Sequence, residues 1–237
     1  MIILEINPDH RTIEEFTVAK ASLHSLEGIR RTILDGQFFP SDRLQPTTLA
    51  EQFQTSTTVI RESLTRLAGE NLVVIRPNRG FFVPDLRLNE LADITELRCS
   101  TEALAARLAI ERGDVAWESQ LMAAHHKLSR TERRLPELPD TVNPQWSAAH
   151  REFHHLLLAP CDCQPMLKLS ADLSNYTELY RRWAAPSKAA SKRNVEKEHQ
   201  DILDAALARD APKLGDLLSK HYRATVQVVM DAGLVGS

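Results

Sequence analysis

The sequence predicts a mainly α protein in two parts: a small N-terminal head of helices closed by a hairpin, then an all-α helical bundle. Three observations predict it. Apolar residues recur at helical spacing through most of the chain. One pair of short β-prone runs brackets the turn Pro77-Asn-Arg-Gly80. Aromatics are only 5% of 237 residues and glycines number eight, which suits helices better than stacked sheets, while a 43% hydrophobic content supplies a core.

Residues 1–20 carry weak patterning and read as an arm. The head is expected over 21–84. Its first helix runs from about Leu23 to Asp35, with Leu23, Leu26, Ile29 and Ile33 on one face and Gly36 as the stop. After Pro40, the spelling Thr48-Leu-Ala-Glu51 predicts a capping box opening a second helix that ends near Phe53. Gln54 and Thr55 make a tight connection. A third helix follows over Thr57–Gly69, with Ile60, Leu64 and Leu67 as its buried stripe. The runs Leu72–Arg76 and Phe81–Val83 then form the hairpin. This order of helix, helix, turn, helix and hairpin is a winged helix-turn-helix.

From about residue 88 to 232 every segment reads as helix. Ile94, Leu97, Thr101, Leu104 and Leu108 make one stripe, and Leu121, Ala124 and Leu128 the next. Trp146, Ala149, Phe153 and Leu157 mark a third; Met166, Leu169, Leu173, Tyr176 and Tyr180 a fourth. Val195, His199, Ile202 and Ala206, then Leu214, Leu217, His221, Thr225 and Val228, complete the set. The stretches LPELPDTVNP and AAPSKAASK are expected to be loops between helices, and the domain boundary to fall near Pro84 to Asn89.

The net charge of −3 argues against coating nucleic acid by bulk electrostatics, so any contact with DNA must be local. Three cysteines do not make a disulfide framework, and no signal peptide or membrane span is evident. A cytoplasmic protein that does not engage membranes is therefore expected.

A recognition helix must bury one face and offer the other to the major groove. Thr57, Arg61 and Thr65 share the polar side of the third helix, beside Thr58. Arginine there can read guanine or clamp a phosphate. Between Thr57 and Arg79 the basic residues Arg61, Arg66, Arg76 and Arg79 outnumber Glu62 and Glu70. A helical arginine alone more often pairs with a neighbouring glutamate on a solvated face; the ordered elements around it shift the weighing toward DNA.

With these residues in hand, the stretch ILDGQFFPSDRLQPTTLAEQFQTSTTVIRESLTRLAGENLVVIRPNRGFFV resembles the N-terminal domain of GntR-type regulators. The resemblance implies that Arg61 and Arg66 are recognition-helix arginines and that Arg79 and Gly80 form the wing tip. Three positions depart from the family pattern: Ser41 stands for glycine, Thr57 for arginine and Val59 for proline. The helical block resembles the FCD domain, through ITELRCSTEALAARLA, AAHREFHHLLLAPCDCQPML and EHQDILDAALARDA.

Read from the residues, His150 and His154 are an i, i+4 pair on the face that holds Trp146 and Leu157. His199 and His221 each lie on an apolar stripe of another helix. A single inward histidine is more often a hydrogen-bonded core residue. Four converging imidazoles each need partners for both nitrogens, and one divalent cation would serve them together. In metal-binding FCD proteins the resemblance implies an Asp or Asn and three histidines as ligands, at the positions of His150, His154, His199 and His221. His150 stands where the carboxylate is usual, a change that favours zinc or nickel over harder ions. His155 should face solvent, His125 and His126 stay unassigned, and the Cys161–Cys163 pair reads as a loop feature.

Arg98 lies among apolar positions, an expensive place for a guanidinium without an anion. The resemblance implies that it faces an effector pocket, where a small organic acid would bridge cation and guanidinium; the plainer alternative is an ion pair with Glu102. The sequence thus predicts a homodimeric transcription regulator, more often a repressor in such families, that binds a near-palindromic double-stranded DNA operator. The rivals are a DNA-binding protein whose bundle only dimerises, and, less favoured for want of a placed general base, a metal-dependent enzyme.

Overall fold

The computed structural model describes residues 23–85, 87–187, 190 and 192–233. The expected arm at 1–20 lies outside them. The chain forms two compact units that part between Pro84 and Asp85.

In the first unit, helix α1 (23–34) buries Leu26, Ile29, Ile33 and Leu34. Leu23 departs from the expected stripe: it is 57% exposed, one turn before the packed face begins. Gly36 ends the helix at φ 75°, a left-handed conformation that glycine adopts without steric cost. Ser41 takes φ 68°, so the serine that replaces the family glycine sits in a backbone shape that glycine would favour. Helix α2 (Pro46–Gln52) begins two residues before the expected box. Its N-cap Gln45 makes no side-chain cap, and proline at the first position, which has no N–H to satisfy, takes over. Thr48 therefore lies inside the helix, correcting the capping-box expectation.

Helix α3 (Thr57–Gly69) is capped by Ser56, whose hydroxyl accepts from the Val59 N–H at 3.2 Å. Proline at 59 would have no hydrogen to give, so this departure from the family pattern completes the cap. Ile60, Ser63, Leu64 and Leu67 are buried. Strands β1 (Arg43–Leu44), β2 (Val74–Arg76) and β3 (Gly80–Phe82) form an antiparallel sheet in the order β1-β3-β2. The hairpin was legible; β1, only two residues long, has too few positions to show a period. The turn uses Asn78 at φ 58° and Gly80 at φ 99°.

The second unit contains α4 (Leu88–Arg112), α5 (Val115–Arg130), a ribbon of β4 (Arg134–Leu135) with β5 (Leu138–Val142), α6 (Pro144–Leu158), a single 3-10 turn (Ala159–Cys161), α7 (Gln164–Trp183), α8 (Val195–Leu207) and α9 (Ala211–Asp231). The ribbon occupies the stretch expected to be a plain loop. Trp117, Leu121, Trp146, Phe153, Leu157, Ile202, Leu214 and Tyr222 anchor one core, with α9 packed along α4. Helices α5, α6, α8 and α9 start with Asp114, Asn143, Asn194 and Asp210 as N-caps, each accepting a backbone N–H in the first turn.

Two stripes differ from expectation. On α4 the buried face is Leu91, Thr95, Arg98, Cys99, Glu102, Ala105, Ala106 and Ala109. Leu97 and Leu104 are instead 48% and 44% exposed. On α7, Leu169 is exposed and the inward face carries Ser170, Thr177, Glu178 and Arg182 beside Leu173, Leu179 and Tyr180. Polar residues displaced the apolar stripe because these helices wall a polar interior.

At the end of α4, a Cβ on Gly113 would stand 2.3 Å from the Trp117 ring and 2.8 Å from the Ala109 carbonyl oxygen. Gly113→Ala is expected to destabilise the bundle by about 1–3 kcal/mol, the usual cost of overpacking. Urea unfolding checks this, and an unchanged midpoint would contradict it.

Candidate metal and effector site

His150 and His154 project from successive turns of α6, His199 from α8 and His221 from α9. All four are buried, and one ring nitrogen from each lies within 4.8 Å of the others. Ring centroids are 4.5 Å apart for His150 and His154 and 4.8 Å apart for His199 and His221. His154 Nε2 faces His199 Nε2 at 3.3 Å, and His150 Nε2 is buried without a hydrogen-bond partner among the described residues. Burial first, then the neighbouring guanidiniums and imidazoles, hold His150, His154 and His199 well below the ordinary histidine value. At neutral pH the rings are uncharged, which leaves nitrogen lone pairs available.

The outer nitrogens have distinct partners. His221 Nδ1 lies 2.7 Å from Glu198 Oε2, and Arg193 grips that carboxylate through Nε at 2.8 Å and Nη2 at 2.6 Å. Burial would raise the Glu198 carboxyl, but the hydrogen bond with His221 and the Arg193 fork outweigh it and hold the group at about 2. His221 is itself lowered to about 4, by burial against the pull of Glu198. His154 Nδ1 lies 3.3 Å from the Tyr222 hydroxyl, which donates to buried Glu102. His150 Nδ1 instead faces Arg181 Nη1 at 3.5 Å.

These residues suit a cation. Nitrogens sharing one zinc-like ion at ~2.1 Å stand roughly 3–4 Å apart, so the cluster needs only small side-chain shifts. His154 Nε2 and His199 Nε2 can share one hydrogen across their 3.3 Å, and a cation would take the place of that hydrogen. A carboxylate behind a ring, as Glu198 stands behind His221, is the arrangement that orients a ligating imidazole.

Arg98 is buried between the cluster and a cleft. Its Nε donates to Glu102 Oε1 at 2.7 Å, Nη1 to Thr177 Oγ1 at 2.7 Å and Nη2 to Ser174 Oγ at 3.4 Å, with its guanidinium 3.9 Å from the Tyr222 ring centroid. The Glu102 pairing weighed from the sequence is therefore present. Yet Arg98, His154, Ser170, Ser174 and Asn175 also line an indentation with about 130 Å³ of room, whose apolar wall is Leu158, Leu167 and Ala171. His155 is exposed and outside the cluster, and His125 packs edge-on against Phe153 at 5.5 Å. Cys161 and Cys163 flank Asp162, which holds a left-handed φ of 47° in the turn before α7.

Sequence reading missed Tyr222, Glu198, Arg181 and Arg193. Tyr222 lies beside the expected stripe: the buried face of α9 is Leu214, Leu218, His221, Tyr222, Thr225 and Val229, which is also helically spaced, so the period alone does not choose between the two. The others are charged residues whose burial depends on partners from separate helices.

In the head, Thr57, Thr58, Arg61, Thr65 and Arg66 are exposed along one side of α3, and Arg79 is exposed at the wing with Gly80. Arg66 pairs with Glu62 at 2.7 Å, while Arg61 forms no ion pair among the described residues. Arg76 and Arg79 lie over the Phe82 ring at 4.5 and 5.9 Å.

The sequence matches the profile of bacterial regulatory proteins of the gntR family over residues 26–83 and that of the FCD domain over 93–224. An uncharacterized HTH-type transcriptional regulator, BphR of Paraburkholderia xenovorans, is 31% identical over 89% of this chain and 86% of its own. The HTH-type transcriptional repressor GlaR of Escherichia coli is 27% identical over 89% of this chain and 96% of its own. Among solved structures, E. coli McbR/YncC superposes with a TM-score of 0.73 at 20% identity, covering 89% of this chain and 97% of that one. That likeness speaks for the fold.

A carboxyl held low in the folded state stabilises the fold above its unfolded value and stops doing so as acid protonates it. In metal-stripped protein, the stability advantage of wild type over Glu198→Gln should therefore be full above pH 4.5 and shrink as pH falls toward 2. Denaturant unfolding across that range checks it; an advantage independent of pH would contradict it.

Proposed function

The chain belongs to the GntR family of bacterial regulatory proteins and carries an FCD domain, which makes it a DNA-binding transcription regulator rather than an enzyme; we propose that it is a repressor released by a small organic acid bound at a metal site in its bundle. One divalent cation, zinc or nickel, is held at the cluster of His150, His154, His199 and His221. The single observation that carries this reading is four buried, uncharged imidazoles from three helices with one ring nitrogen each within 4.8 Å of the others. Neutral imidazole donors favour those borderline ions over magnesium or manganese.

When bound, the cation supplies a positive centre for an acid's carboxylate. The cleft beside His154 supports an organic acid as occupant, because its lining combines the cationic Arg98 and Arg151 and the polar Ser170 and Ser174 with the apolar Leu158, Leu167 and Ala171. Arg98 stays braced by Glu102 and offers its Nη2 edge, where Ser174 is a loose partner.

Operator contact is assigned to Thr57, Thr58, Arg61, Thr65 and Arg66 of α3 and to Arg79 and Gly80 of the wing. A homodimer would place two heads on a near-palindromic site. Leu97 and Leu104, seven residues apart on α4 and 48% and 44% exposed, support pairing along that helix, since leucines at this spacing open to solvent can form a packing seam. Acid binding that changes the placement of the two heads would couple to DNA with about 1–3 kcal/mol.

Three measurements test the reading. His199→Ala should lose the bound metal in elemental analysis of the purified protein, and full retention would remove the site. Arg61→Ala should cost about 1–3 kcal/mol of operator affinity in gel shifts with the melting curve unchanged; unaltered affinity would contradict its role. Leu97→Glu with Leu104→Glu should yield monomers by sedimentation, and an intact dimer would place the seam elsewhere.

A further inference from the structure

We propose that His150 serves this site as a hydrogen-bond donor to the bound acid and not as a fourth ligand to the cation. The inference rests on the metal site proposed above and sharpens it. It follows from which proton each ring can carry. An imidazole ligates through a lone pair, so the ligating nitrogen must be bare and the other nitrogen carries the hydrogen.

Two of the rings are locked in that form. Glu198 is a carboxylate, which only accepts, so His221 Nδ1 at 2.7 Å must be the donor and Nε2 is left bare. Arg193 Nη2 also lies 3.2 Å from that Nδ1, but it is committed at 2.6 Å to both Glu198 Oε2 and the His221 carbonyl. The Tyr222 hydroxyl spends its one hydrogen on Glu102, so toward His154 Nδ1 its oxygen can only accept. His154 Nε2 is therefore bare as well, and it points at His199 Nε2.

His150 is reversed. The group opposite its Nδ1 is the Arg181 guanidinium at 3.5 Å, and a guanidinium has donors only. That side of the ring must present its lone pair, which puts the hydrogen on Nε2. Two contacts hold Arg181 in this position. Its guanidinium lies 5.7 Å from the centroid of the Trp146 ring, against which His150 stacks at 4.9 Å, and it pairs with Glu178 at 3.6 Å. The His150 Nε2–H is thus buried with no acceptor among the described residues, on a ring whose centroid lies 4.5, 4.9 and 5.9 Å from those of His154, His199 and His221. Were His154, His199 and His221 to hold the cation, this N–H would be free to donate to an oxygen of an acid bound beside it. A carboxylate at position 150, which the family pattern has, would repel that acid where His150 attracts it.

The test uses the full chain labelled with nitrogen-15 in its histidines and loaded with zinc. Long-range proton–nitrogen correlation spectra should show hydrogen on Nε2 of His150 and on Nδ1 of His154 and His221. A bare, metal-shifted Nε2 on His150 would overturn the proposal. Titrating acetate as a probe should move the His150 Hε2 resonance, and an unmoved resonance would remove the donor role. In parallel, His150→Gln should keep its zinc while His199→Ala loses it; zinc lost equally from both would also overturn it. A wild-type chain that takes up no zinc would sink the metal site itself, so the two failures are told apart. Loss of a hydrogen bond to a charged partner predicts acetate binding weaker by about 10-fold or more in His150→Leu, which has no donor, and undiminished acetate affinity in that variant would also overturn the donor role.

Discussion

The bundle depends on one constraint: a buried imidazole must find partners for both of its nitrogens. Four such rings meet inside this fold. The outer nitrogens of His221, His154 and His150 engage separate devices, the Glu198–Arg193 fork, the Tyr222–Glu102 pair and the Arg181 guanidinium. Their inner nitrogens have little but one another. Each outer device fixes a hydrogen, and together they decide what the centre can accept.

That requirement reshapes the helices around it. Helices α4 and α7 turn Arg98, Glu102, Ser170, Thr177 and Glu178 inward, where an ordinary bundle would place leucine. Burying charge is costly unless it is paired and hydrogen-bonded. Here Arg98 meets Glu102 and Thr177, and Glu178 gathers Arg151 at 2.8 Å and Arg181 at 3.6 Å. The interior is consequently held by directional contacts between helices. A ligand that enters must displace or join those contacts, which gives its binding a route to the packing of several helices at once.

The same polarity explains which parts of the structure were legible in the sequence. In the head, Ile60, Leu64 and Leu67 sit against an apolar interior and the helical period announces them. Gly36 and Pro77-Asn-Arg-Gly80 mark turns because their backbone shapes restrict which residues fit. The four histidines were readable because two share a helix face and the others interrupt apolar stripes. Leu97, Leu104 and Leu169 misled because they keep the period while facing outward. The devices that set the chemistry were hidden: Glu198, Arg181 and Arg193 look like surface residues until folding brings His221 to the Arg193–Glu198 pair and His150 to Arg181. Thr48 shows a smaller version of the lesson, since a neighbouring proline preempted a well-spelled cap.

The central claim is that the converging rings share one cation. The most direct measurement is anomalous X-ray scattering from crystals of the purified chain, collected on either side of the zinc and nickel absorption edges. The account predicts one strong peak among His154, His199 and His221 in each protomer, which appears as the energy crosses one of the two edges and does not step up at the other. Crystals with no such peak, or with the metal bound elsewhere, would contradict it.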